Sequence, residues 1–194
     1  MKKWTDFYTP FFNAPSEASS FVERFEELGP QDTKHQAKIM MHQTQRLVTL
    51  SDDLPKIRSK RESLQLLFLL ICAENISKLY HNFNRDGESK IHTRKFFEKI
   101  VPQKEREYLK KGFRHNIFNL NQKPLTLREI IDHLYKVRCD VVHEGKCWDF
   151  SFHDGKTSII NTDPDVNVNI TIQKFREIVV LGCIEAIKTY RAIP

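Results

Sequence analysis

The stretch "PLTLREIIDHLYKVRCDVVHEGK", residues 124–146, decides how the chain is read. Thr126 and Glu129 have the spacing of a capping box, and Pro124 stands just ahead of the cap. Leu127, Ile130, Ile131, Leu134, Val137, Val141 and Val142 then recur at helical spacing, which predicts one buried stripe. Gly145 supplies a left-handed stop. Near the closing end stand Arg138 and His143, with four residues between them. Cations there are favourable to the helix dipole, so one reading of the pair is helix-end decoration. The other reading is chemical.

Working outward, the remaining pattern is also helical. Residues 61–82 are dense in Leu64, Leu67, Phe68, Ile71, Cys72, Ile76, Leu79 and Tyr80, the wide apolar face of a central bundle helix. Within it, "LQLLFLLICA" at 64–73 is only about half the length that a membrane span requires. "SEASSFVERFEEL" has Phe21, Phe25 and Leu28 on one side and is stopped by Gly29-Pro30. A further helix is expected over about 32–50, with a boundary near Pro55. "NRDGES" at 84–89 reads as a turn, and two shorter helical segments follow it on either side of Pro102. "WDFSFHDGKTSIIN" alternates around Asp154-Gly155, which predicts a β-hairpin at about 148–160. A long helix closes the chain, marked by Ile172, Phe175, Val179, Ile184 and Ile187. Residues 1–15, rich in aromatics and broken by two prolines, are expected to form an ordered arm rather than a helix. The expectation is therefore an all-α helical bundle with a small hairpin before its last helix. Residues 1–60 would be an aromatic arm and helical extension, and 61–194 the main domain.

Composition narrows the function. The 194 residues are 40% hydrophobic and 29% charged, ordinary for a globular chain long enough to bury a core. Four cysteines, Cys72, Cys139, Cys147 and Cys183, do not make a disulfide scaffold, and a reducing cytoplasm is expected. The start has no apolar stretch behind its basic residues, so no secretory signal or membrane attachment is expected. A net charge of +6 permits a polyanionic partner without requiring one.

Arginine offers a planar, permanently charged fork suited to phosphate. Histidine titrates near neutrality and can take a proton from one oxygen and return it to another. Together they suffice for phosphodiester cleavage without a cofactor when the substrate carries its own nucleophile, as RNA does in its 2′-hydroxyl. Five steps along an ideal helix, however, place the two side chains roughly 140° apart in rotation and about 7.5 Å apart along the axis. Convergence needs a loosened helix, a wrapping arginine, or a second subunit.

"LYKVRCDVVHEG" at the end of a capped helix, preceded by a dense apolar helix and followed by a terminal one, resembles the HEPN superfamily (higher eukaryotes and prokaryotes nucleotide-binding domain). The hallmark of that family is an Arg followed by four to six residues and a His, and the resemblance covers roughly 61–194. It implies a metal-independent endoribonuclease of toxin–antitoxin or phage-defence type, without cofactor, acting on single-stranded RNA as a homodimer and held in check by an antitoxin protein. By the same resemblance Arg138 would hold the scissile phosphate and His143 act as general acid and base. The products would be a 2′,3′-cyclic phosphate and a 5′-hydroxyl. Cys139 stands where the family often has a polar Asn, Asp or His, and Asp140 would compensate. Some members are inactive scaffolds or nucleotide-, RNA- or protein-binding modules.

Glu74 and Asn75 interrupt the apolar helix at 61–82, and a charge there needs a partner, which Arg138 would supply. Glu144, directly after His143, would support the same site. A competing reading takes Cys139, His143, Cys147 and His153 as zinc ligands of an interaction domain. The aromatic arm, Trp4 to Phe12, would pack on the bundle or across a dimer, or stack bases.

Overall fold

Prolines read as breakers of the N-terminal arm turn out to start helices. In the computed structural model, which describes residues 1–115, 124–147, 150–153 and 166–191, helix α1 spans Lys2–Tyr8. A 3-10 turn, Thr9–Phe11, follows with Pro10 in its first positions, and Pro15 opens α2, Pro15–Glu26. A proline lacks only an N–H that a first helical turn leaves unpaired anyway. The arm is thus helical, and it packs on the bundle: Tyr8 is fully buried with its hydroxyl donating to the Met41 carbonyl at 2.8 Å. Trp4 stacks on His42 at 4.5 Å between ring centroids.

Helix α3, His35–Ile57, continues past the expected boundary, because Pro55 sits in its last turns. A proline at 55 removes the N–H that would bond the Ser51 carbonyl. That carbonyl instead accepts from Gln65 Nε2 at 3.3 Å, while Ser51 Oγ donates to the Gln65 carbonyl at 3.1 Å. The helix defect thereby becomes a clamp onto α4, Glu62–Tyr80.

α4 is the central element, packed against α3 and three later helices. It is long and apolar enough to cross a membrane by composition, unlike the expectation from 64–73 alone, yet half of the qualifying window is buried within the bundle. A left-handed turn at Gly87 and Glu88 leads into α5, Ser89–Lys95, which runs on as a π-helical turn, Phe96–Ile100. Then come α6, Gln103–Gly112, strand β1, Phe113–His115, α7, Leu127–Glu144, strand β2, Val166–Val168, and α8, Ile172–Thr189.

The two strands form an antiparallel pair with Phe113 opposite Val168 and His115 opposite Val166. The fold is otherwise all-α, but only β2 stands just before the last helix; β1 precedes α7, so the small β element joins two segments on either side of that helix and is not a local hairpin. Of the hairpin predicted at 148–160, only 150–153 are described; they carry no strand, and the rest lies outside the described residues. Phe150 and Phe152 are buried there, and the Phe152 N–H donates to Glu62 at the start of α4.

One hydrophobic cluster joins the helices other than α5, from Tyr8, Phe21 and Met40 to Leu70, Leu134 and Ile187. Arg176 of α8 forks onto Asp52 of α3 at 2.7 and 2.8 Å, under the rings of Phe7 and Phe11, and ties residues 1–60 to the rest.

Gly182 lets α8 approach the π-helical turn: a Cβ there would lie 2.7 Å from Phe96 Cζ and 2.8 Å from Val101 Cγ2. Gly182→Ala should therefore destabilise the fold by about 1–3 kcal/mol, despite alanine's better helix propensity. A urea titration measures it, and an unchanged or raised midpoint contradicts the packing.

His92 of α5 is fully buried, with Nδ1 at 3.4 Å from Ser77 Oγ and its ring against Phe83. Burial pushes its pKa below the ordinary histidine value; Lys95, His81 and Lys78 add to this, and Glu88 opposes it. The unfolded chain then binds the proton more readily, so stability falls as pH drops below about 6.5 and rises with pH through that window. Unfolding free energies from pH 7 to pH 5 should decline less steeply in His92→Gln than in the parent chain. Equal slopes would remove His92 from the pH response.

Candidate functional site

The helix that carries Arg138 and His143 forms as its sequence predicts. Thr126 Oγ1 accepts the Glu129 N–H at 3.3 Å, and Glu129 Oε2 accepts the Thr126 N–H at 2.7 Å, a complete capping box. At the other end Gly145 adopts φ 66°, and its N–H and that of Lys146 bond the Asp140 carbonyl. Ile130, Ile131, Leu134, Val137 and Val141 are buried, and Leu127 is half-buried. Val142 departs from the expected stripe, at 52% exposed. It follows Val141 by 100° around the axis, which carries it off the buried face.

Because α7 stays helical through Glu144, no loosening brings His143 back toward Arg138. The two side chains leave the helix on different sides. Arg138 turns inward against α4, with 18% of its side chain exposed. His143 stands exposed on the last turn.

Arg138 meets Glu74, as the interrupted apolar pattern of α4 required. Nη2 donates to Glu74 Oε2 at 3.2 Å, and Nη1 donates to the Tyr135 hydroxyl at 3.0 Å. The guanidinium lies 5.0 Å from the Tyr135 ring centroid, and its buried Nε–H has no hydrogen-bond partner among the described residues. The other Glu74 oxygen takes Lys78 Nζ at 2.8 Å and the Ser89 hydroxyl at 2.7 Å. One carboxylate is thus shared between two cations, and the cluster carries one positive charge in excess. With Lys78 and Arg138 each about one-fifth exposed, that surplus is only partly screened by water.

Sequence reading found Glu74 and Arg138 but not Lys78, Ser89 or Tyr135. Lys78 was accessible in principle, one helical turn after Glu74, and Tyr135 stands one turn before Arg138. Ser89 comes from another helix and had no local signal. The other supporting residues are not drawn in. Asn75 is half-buried and makes no side-chain hydrogen bond among the described residues, while Asp140 contributes its carbonyl to the helix end. Glu144 pairs with Lys146, which holds its carboxyl below the usual carboxylate range.

Cys139 is a half-buried free thiol. Among the described residues no three His, Cys, Asp or Glu side chains converge as a metal-binding set, so Cys139, His143, Cys147 and His153 are not brought together as zinc ligands. The chain turns at Gly145, and the Cys147 carbonyl is taken by Ser63 Oγ at 2.6 Å, which draws this segment toward α4.

No family model, no curated protein and no solved structure matches this chain.

Removing Glu74 leaves Arg138 and Lys78 facing each other without a counter-charge. Glu74→Ala should cost about 2–4 kcal/mol, somewhat below a fully buried pair because Arg138 keeps some contact with water. Adding Arg138→Met should recover part of that loss, and a denaturant double-mutant cycle reads the coupling. Strictly additive losses would show that the two groups do not support each other.

Proposed function

We propose that the protein is a cytoplasmic, metal-independent endoribonuclease acting on single-stranded RNA, of toxin or phage-defence type, with its site completed by a second copy of the chain. The observation that supports this best is the pairing of opposite environments on α7. Arg138 is oriented by Glu74 and Tyr135 within a cluster carrying excess positive charge, and His143 stands free in solvent one and a half turns later. A single chain separates them around an unbroken helix, so the arginine of one copy and the histidine of its partner serve one phosphate. Val142, exposed beside His143, gives a second copy an apolar surface to cover.

In this reading the imidazole of His143 takes the proton of the 2′-hydroxyl, whose oxygen then bonds the adjacent phosphorus. Arg138 stabilises the charge gathered on the non-bridging oxygens. The bond from phosphorus to the 5′-oxygen breaks, and that oxygen collects a proton from an imidazolium. A 2′,3′-cyclic phosphate and a 5′-hydroxyl remain. Glu74 acts through Arg138, as a positioning residue. An antitoxin protein would neutralise the enzyme by covering this end of α7.

A second reading is a catalytically inactive HEPN-like module that binds nucleotide, RNA or a protein. It is favoured by one observation: the Arg138 guanidinium is already engaged by a carboxylate. Single-stranded RNA incubated with the protein in EDTA separates the two. Cleavage to cyclic-phosphate ends should occur, and His143→Ala should lower its rate at least about a hundredfold with an unchanged unfolding midpoint. RNA bound but uncut would establish the binding module, and equal cutting by the variant would remove His143 from the chemistry.

A further inference from the structure

We infer that a cleft between α2 and the end of α8 binds a small organic anion with an aromatic body. The cleft is open to solvent and measures about 590 Å3, within the range of small-molecule sites, and its lining includes Phe12, Phe21 and Phe25 with Arg24 and Lys188. Ser16, Ser20 and Arg24 recur every four residues along α2, so two small side chains and one cation form a stripe beside the Phe21–Phe25 stripe.

Neither Arg24 nor Lys188 makes an ion pair among the described residues. Each lies over a phenyl ring instead, Arg24 Cζ at 5.5 Å from the Phe25 centroid and Lys188 Nζ at 4.7 Å from that of Phe12. A ring face is a weak partner for a hydrated cation. Among the described lining residues the one carboxylate is Glu17, which accepts the Asn13 N–H at 3.3 Å. Two cations against one carboxylate leave the cleft with a single positive charge to complement.

The rings select the body of the ligand. Phe12 and Phe21 meet at 5.2 Å with planes 44° apart, and Phe21 and Phe25 at 5.2 Å with planes 64° apart. Phe21 and Phe25 are almost wholly buried and form the floor of the cleft, so the half-buried Phe12 is the ring that another aromatic ring would meet edge-to-face or offset. A carboxylate, sulfonate or phosphate carried on that ring would reach the exposed Arg24 and Lys188. The site is independent of the Arg138 cluster and of the nuclease reading.

Anilinonaphthalene sulfonate is the first probe, titrated into the full chain and followed by its fluorescence. Saturable binding of one probe per chain is expected, with amide shifts in two-dimensional NMR centred on residues 12–25 and 188. Naphthoate should displace the probe, and the neutral naphthyl methanol should be about tenfold weaker, the scale of one lost charge-assisted contact. The double variant Arg24→Gln with Lys188→Gln, both on the surface, should lose about tenfold or more in naphthoate affinity at an unchanged melting temperature. An alkyl carboxylate of equal carbon count separates an aryl from an acyl preference, and equal affinity would defeat the aromatic assignment. Absence of saturable binding, shifts centred elsewhere, equal binding of the neutral analogue, or undiminished naphthoate binding by the double variant would each overturn the proposal.

Discussion

Glu74 carries a charge into the middle of a helix whose other inward side chains are uncharged, and the arrangement around it follows from that necessity. A buried carboxylate must be compensated or it destabilises the fold. Its compensation comes from three directions: Lys78 on its own helix, Ser89 at the start of α5, and Arg138 on α7. Satisfying one carboxylate therefore sets α5 and α7 against α4 more specifically than apolar packing would. Arg94 on α5 adds a second constraint of the same kind, forking onto Asp132 of α7 at 2.6 and 2.5 Å. Polar contacts thus orient the face on which the candidate site lies, and the apolar cluster supplies the cohesion.

The opposite side of α4 is held by different means. Ser51 and Gln65 exchange hydrogen bonds where Pro55 has freed a carbonyl, and Arg176 locks onto Asp52 beneath two phenyl rings. Each clamp joins the first sixty residues to the later helices. Tyr8, Met41, Leu70 and Val179 belong to one cluster, so removing the N-terminal helices would expose apolar surface on α3 and α8 as well as their own.

What could be read in the sequence follows the range of the signals. The capping box, buried stripe and glycine stop of α7 are local; the box and the stop stand in the structure as written in residues 124–146, and the stripe stands except for Val142. The Glu74–Arg138 contact was legible because a charge within an apolar pattern demands a partner. Longer-range facts were hidden. Pro10, Pro15 and Pro55 look alike in sequence, yet two open helical turns and one lies late in a helix, and tertiary partners decide which. The pairing of Phe113–His115 with Val166–Val168 joins segments about fifty residues apart, and neither announces the other. Val142 was assigned to the buried stripe from its chemistry alone, although adjacent helical positions seldom share a face.

The separation of Arg138 from His143 has a physical logic in the proposed reaction. An arginine that stabilises charge works best when its orientation is set beforehand and little water competes for it; the contacts to Glu74 and Tyr135 provide that at the expense of part of its charge. Lys78 restores the lost charge from the far side of the same carboxylate. A proton-transferring histidine has the opposite need, since burial would disfavour its charged form and suppress the return of the proton. One stretch of helix would meet both needs by turning the arginine inward and leaving the histidine exposed on the last turn. The same rotation that separates the environments also separates the groups, so the proposed chemistry would require two chains. Under that proposal dimerisation would be a condition of catalysis, and a monomer would hold each half of the site without being able to use either.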